Sequence, residues 1–133
     1  MAFVKALVRR AMSMPVLLCM FICPATHAAT AEYQLEAVFL FNFTQFVEWP
    51  ADAFAHSDSP LAICVLGEDP FGTSLDDIVR GESVRGHPLM VEHYHNAEDA
   101  RHCHIVFFSR SETGNVQLAL QKLKDTNVLT VGN

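Results

Sequence analysis

The sequence predicts an α/β fold, a mostly parallel sheet flanked by helices in a flavodoxin-like or Rossmann-like sandwich, built as a single domain. Two observations carry this. Four short apolar runs, at 61–66, 89–94, 105–108 and 128–131, alternate with segments of helical period. Strands that are apolar on both sides belong to parallel sheets covered above and below, and strand–helix alternation winds such sheets right-handedly. The 29–133 portion suffices for one modest core, and no internal repeat or low-complexity linker marks a second domain.

The amino terminus stands apart. Lys5, Arg9 and Arg10 lead into an apolar run that reaches Cys23, followed by the small residues Ala25, Ala28 and Ala29. This is the pattern of a secretory signal peptide, expected over residues 1–28 with the domain at 29–133. The run is shorter than the roughly 20 residues needed to span a bilayer, and Pro15 and Pro24 interrupt it. No stable membrane insertion is therefore expected after cleavage. Leu18 and Ile22 precede Cys19 and Cys23, where lipoprotein processing requires a small residue.

From 32 to 49, Leu35, Val38, Phe39, Phe46 and Trp49 recur at helical spacing, and Pro50 ends the helix. A second apolar set, Leu40, Phe41, Phe43 and Val47, occupies much of the remaining circumference. One core cannot easily cover both sets, and leaving each large side chain in water forgoes about 1.5–3 kcal/mol. The second set is therefore the candidate protein interface, with a core lying on two sides as the alternative. After a polar loop, 61–66 reads as a buried strand closed by Gly67. Asp69 and Pro70 then supply an N-cap and first helical residue for a helix through Arg80. Gly81 and Gly86 bracket a turn before the strand at 89–94, and a short helical turn at 97–101 precedes the strand at 105–108. Val116, Leu118, Leu120 and Leu123 mark a helix, and 128–131 is the last strand. A strand order of 2-1-3-4 is the flavodoxin-like choice. With no helix following the fourth strand, the domain reads as incomplete at its C-terminal edge.

Charge and chemistry narrow the function. Without the three basic residues of the leader, six Lys and Arg face fifteen Asp and Glu, an excess of nine negative charges. Such a chain repels phosphate backbones, so nucleic acid is excluded as a partner. The turn Gly67-Glu68-Asp69-Pro70-Phe71-Gly72 sits where nucleotide-binding folds place a glycine loop, but it carries two carboxylates and matches neither the GxGxxG nor the Walker pattern. The crevice rule for open sheets brings Glu68 and Asp69 near Ser109 and Arg110, a candidate small-ligand crevice whose plainer reading is a surface ion pair. His93 with His95 and His102 with His104 have residue types that zinc or copper accepts. A parallel crossover keeps the two pairs apart, so no metal site and no cofactor are expected. Ser109 and Ser111 lie in no nucleophile elbow, Asp76 and Asp77 read as a solvated charge run, and no catalytic residue is assigned. Export leaves Cys64 and Cys103 in an oxidising compartment, either as a disulfide or as two buried thiols.

Five blocks resemble the YfiR-like family of periplasmic proteins: 33–43 with Phe46-Val47-Glu48-Trp49-Pro50, then 64–72, Val84-Arg85-Gly86-His87-Pro88, 103–109 and 128–132. The resemblance implies a disulfide between Cys64 and Cys103. It further implies a periplasmic, homodimeric regulator, not an enzyme, that represses a membrane-anchored diguanylate cyclase through that enzyme's periplasmic domain and lowers cyclic di-GMP and biofilm formation. The alternative from the residues is a periplasmic small-ligand or metal sensor. Family members continue beyond the fourth strand, which agrees with the incomplete edge.

Overall fold

The computed structural model describes residues 25–132, with side chains from Thr30 onward. The leader expected over 1–28 lies outside the described residues, except that the backbone of its last four is already helical. Helix α1 (Ala25–Phe46) leads through a single 3-10 turn (Ala51–Ala53) into β1 (Leu61–Leu66). Next come α2 (Ser74–Val79), β2 (Ser83–Val84), β3 (His87–Tyr94), β4 (Ile105–Phe108), α3 (Val116–Lys122) and β5 (Leu129–Gly132).

The strands form one sheet in the order β2-β3-β1-β4-β5. β1 pairs in parallel with β3 and β4, and β4 pairs in parallel with β5. The four strands expected from the apolar runs thus adopt the expected 2-1-3-4 order. Only β2 is new, a two-residue strand antiparallel to β3. Its loop, Arg85 at φ 51° and Gly86 at φ 87°, has both residues left-handed, as a tight hairpin turn requires.

Side chains alternate along β1, and all six residues are buried. Leu61, Ile63 and Val65 face one layer with Ala37, Leu40, Leu75 and Val79 of α1 and α2. Ala62, Cys64 and Leu66 face the other, with Ala97, Ala100, Cys103 and Ala119. This period of two with both sides covered is what makes the central strand read as an unbroken apolar run.

Two local expectations need correction. The helix expected from Pro70 begins only at Ser74. Asp69 Oδ1 instead accepts the Phe71 N–H at 2.8 Å, closing a local turn, and Gly72 follows at φ +57°. A short acceptor side chain ahead of a proline stabilises such a turn as readily as it caps a helix, and here the turn drives Phe71 into the core.

The second correction concerns which side of α1 is buried. Ala37, Leu40 and Thr44 are 0%, 1% and 0% exposed, and Tyr33, Phe41 and Phe43 pack partly against the same core. Leu35, Val38, Phe39 and Phe46 point outward. Helical period alone could not choose between two apolar stripes. Ala37 and Thr44 are the small, fully buried residues of the inward face, α1 makes its main backbone contacts with α2, and Thr44 Oγ1 satisfies itself on the Phe41 carbonyl at 2.6 Å.

Candidate functional site

Of the residues expected to form the interface, Leu40 is buried in the chain's own core, Phe41 and Phe43 pack partly against it, and Val47 is half-buried. The open stripe runs instead along Leu35, Val38, Phe39 and Phe46, exposed by 56%, 41%, 51% and 80%. These positions are three, four and seven residues apart, so they lie along one side of α1. Four large apolar side chains left in water on one helix face form the kind of surface that a partner covers. Glu36, Phe39, Leu40 and Phe43 also line one wall of a groove of about 170 Å³ whose other wall is Val131 and Gly132 of β5. Among the described residues, no helix is long and apolar enough to cross a membrane.

The crevice at the carboxyl ends of the strands forms as a juxtaposition. Ser111 Oγ accepts the Glu68 N–H at 3.0 Å, and the Ser109 N–H donates to the Leu66 carbonyl at 3.0 Å. Arg110 and Asp69, however, are engaged elsewhere. Arg110 reaches Glu32 at 3.2 Å and lies 5.8 Å over the Tyr33 ring, tying this loop to the start of α1. Asp69 Oδ2 sits 3.3 Å from His93 Nε2. Gly67, at φ +96°, leaves no room for a side chain, since a Cβ would lie 2.3 Å from Ser111 Oγ. Ser111 and Glu112 therefore fill the mouth at this point.

The opposite end of the sheet carries a larger cleft. Phe54, Pro60, Met90, Glu92, His102 and His104 are among the residues lining its volume of about 570 Å³. Phe54 stacks between two histidines, with ring centroids 3.7 Å from His87 and 4.4 Å from His104, and Trp49 meets His104 edge-on at 5.8 Å. His104 Nδ1 accepts the Ala62 N–H at 3.1 Å, and the His104 N–H donates to the Ala62 carbonyl at 3.0 Å. An Nδ1 that accepts is unprotonated, which fixes the neutral ring as the Nε2–H tautomer. Burial holds the imidazole below its ordinary pKa, the Ala53 backbone opposing this and the neighbouring His87 and His102 adding to it. Arg85 closes the corner by donating to the Val47 carbonyl at 3.2 Å, with Glu48 Oε1 3.4 Å away.

This corner gathers Trp49, Arg85, His87 and His104, one or more residues from each of three sequence blocks that lie far apart in the chain. Their shared work is to pin the end of α1 and the loop after it onto β1, β3 and the entry to β4. Sequence reading missed Phe54, whose position in a polar loop gave no signal.

Beside the cleft, Cys64 and Cys103 form a disulfide with a Cα–Cα distance of 6.1 Å. It ties β1 to the segment entering β4 and lies in the helix α3 layer. The register places Glu92 of β3 next to Cys64, with Glu92 Oε2 3.6 Å from Cys64 Sγ. The same oxygen accepts from Tyr94 O–H at 3.2 Å and lies 2.7 Å from His102 Nε2. Tyr94 is held above its usual pKa, chiefly by desolvation and then by the Glu92 charge. His93 and His102 are kept apart by the two faces of the sheet rather than by its ends: His93 meets Asp69 on one face, while His102 meets Glu92 and Tyr94, the residues flanking His93, on the other. Glu92 is the residue that strand periodicity could not single out, because its neighbours follow from the register between β1 and β3.

No curated protein matches the chain. Residues 33–133 match the family model described as YfiR/HmsC-like. The match takes in α1 from Tyr33, all five strands, both cysteines and the aromatic corner. The chain therefore belongs to the YfiR/HmsC-like family.

Proposed function

We propose that this chain is a periplasmic regulatory protein that holds a membrane-anchored diguanylate cyclase inactive by contact with its periplasmic domain, so lowering cyclic di-GMP. The observation that carries the reading is the exposed stripe Leu35, Val38, Phe39 and Phe46 on α1. An apolar helix face is suited to docking against a groove or a second helix, where it contributes by desolvation without catalysing anything. Family membership supplies the kind of partner. The leader over 1–28 delivers the chain to the compartment in which that partner is exposed, and the Cys64–Cys103 disulfide fits an oxidising compartment. A homodimer uses the same stripe in this reading, so partner and second copy compete for one surface.

The test is capture of membrane proteins on the exported chain, together with cyclic di-GMP measured after deletion of its gene. Recovery of a diguanylate cyclase with a rise in the nucleotide supports the proposal. No cyclase recovered and no change in the nucleotide overturns it. Ligand sensing is the second reading, favoured by the aromatic-lined cleft of about 570 Å³ rather than by the Glu68 and Asp69 crevice. It predicts a small molecule retained in native mass spectrometry and lost on Phe54→Ala.

A further inference from the structure

We infer that reduction of the Cys64–Cys103 disulfide converts this corner into a zinc site whose protein ligands are the two cysteine sulfurs and the Glu92 carboxylate. One ligand atom from each of these three residues lies within 4.8 Å of the other two. The sulfurs come from β1 and the entry to β4, the carboxylate from β3. Two of the three ligands stand on adjacent parallel strands and the third on the short segment entering β4, so the fold itself holds them near one another.

The oxidised site cannot take the metal, because both sulfurs are spent in the covalent bond. A dithiol reductant breaks that bond by thiol–disulfide exchange. It supplies two electrons and two protons, becomes a disulfide itself, and leaves Cys64 and Cys103 as thiols. Zinc binds them as thiolates, and their two protons pass to solvent. At a Zn–S distance of about 2.3 Å, tetrahedral geometry puts the sulfurs roughly 3.8 Å apart. Side-chain rotation reaches that separation from a Cα–Cα distance of 6.1 Å.

Electrostatics favours the metal once the bond is open. The Glu92 side chain is only 24% exposed, and its Oε2 is 3.6 Å from Cys64 Sγ. With the two sulfurs, this carboxylate completes a set of three anionic donors suited to a divalent cation. His102 Nε2, 2.7 Å from the same carboxylate oxygen, acts as a positioning residue that orients Glu92, as histidine–carboxylate pairs do around zinc. Cys103, Glu92 and His102 all line the cleft, which gives both reductant and metal a path and leaves the fourth coordination position to water.

The test uses the purified exported chain, oxidised or reduced with a phosphine that does not bind zinc, with folding followed by far-UV circular dichroism. Zinc and cobalt(II) salts are the probes. The expected result is one zinc per reduced chain, none on the oxidised chain, and a thiolate-to-cobalt charge-transfer band with tetrahedral visible absorption. Glu92→Gln is expected to weaken zinc binding by at least about tenfold while the disulfide still forms. A reduced chain that unfolds and is refolded by zinc also supports the site. The proposal is overturned by equal uptake on the oxidised chain, by no uptake on the reduced chain, by zinc bound without recovery of the fold, or by wild-type affinity in Glu92→Gln.

Discussion

Replacing Leu40 and Phe46 separately by alanine tests which side of α1 belongs to the protein and which to its surroundings. Leu40 is 1% exposed and packs in the core cluster that includes Ala37 and Phe107. Its truncation removes buried methyl and methylene groups and leaves a cavity beside a sheet that cannot collapse, a change that costs about 3 kcal/mol. Phe46 is 80% exposed, so its truncation removes little buried area and stays within about 0.5 kcal/mol. Urea unfolding followed by circular dichroism reads both. With a slope of about 1.5 kcal/mol/M for a domain of this size, Leu40→Ala lowers the midpoint by roughly 2 M and Phe46→Ala leaves it nearly unchanged. Equal losses, or a larger loss at Phe46, would refute the assignment of faces and with it the argument that the outer stripe is free for a partner.

Three further outcomes follow from the same structure. Replacing Cys64 and Cys103 together by alanine opens a loop of 39 residues separation and costs about 4 kcal/mol in the chain-entropy description, measured as the difference in urea midpoint between oxidised wild type and the double variant. His104 is neutral in the fold and binds its proton more weakly there than in the unfolded chain. The unfolded state therefore takes up more protons between the lowered folded pKa and about 6.5, and stability falls as pH drops below about 6.5. Unfolding free energies between pH 7.5 and 5 are expected to decline more steeply for wild type than for His104→Asn, and parallel curves would assign the acid sensitivity elsewhere. Gly67→Ala, with a left-handed φ and a Cβ 2.3 Å from Ser111 Oγ, costs about 2 kcal/mol or more, whereas Gly114→Ala, with nothing within 4 Å, leaves the melting temperature within a few degrees.

Much of the fold was legible because parallel strands buried on both faces announce themselves as apolar runs. Residues 61–66 did so fully, and the order of the four main strands followed from the alternation with helices. The hairpin strand β2 was not legible, since two residues carry no period. On α1 the period was visible but its phase was not: a helix apolar nearly all round offers two stripes, and the buried one carries the small Ala37 and the polar Thr44, whose burial becomes apparent only once α2 and the core lie against them. The candidate sites divided in the same way. Glu68, Asp69, Ser109 and Arg110 were brought to one end of the sheet by topology, as reasoned, but Arg110 turned to Glu32 and Tyr33 at the start of α1, a contact across 78 residues of sequence. Glu92 and Phe54 acquire their partners from strand register and from a loop folding back over β1, neither of which local pattern encodes. The Cys64–Cys103 bond was suggested by the even cysteine pair left after export and strengthened by family resemblance, while its carboxylate neighbour was not legible.

The measurement that bears most directly on the regulatory account is capture of the diguanylate cyclase by purified chain carrying Phe39→Ser and Phe46→Ser, compared with wild type and with Gln117→Ser on the exposed surface of α3. All three proteins should show the same circular dichroism and similar stability. The account predicts that the stripe variant loses at least about tenfold in binding and fails to restore low cyclic di-GMP in the deletion strain, while Gln117→Ser does both as wild type. Undiminished capture and full restoration by the stripe variant would contradict it and move the interface off α1.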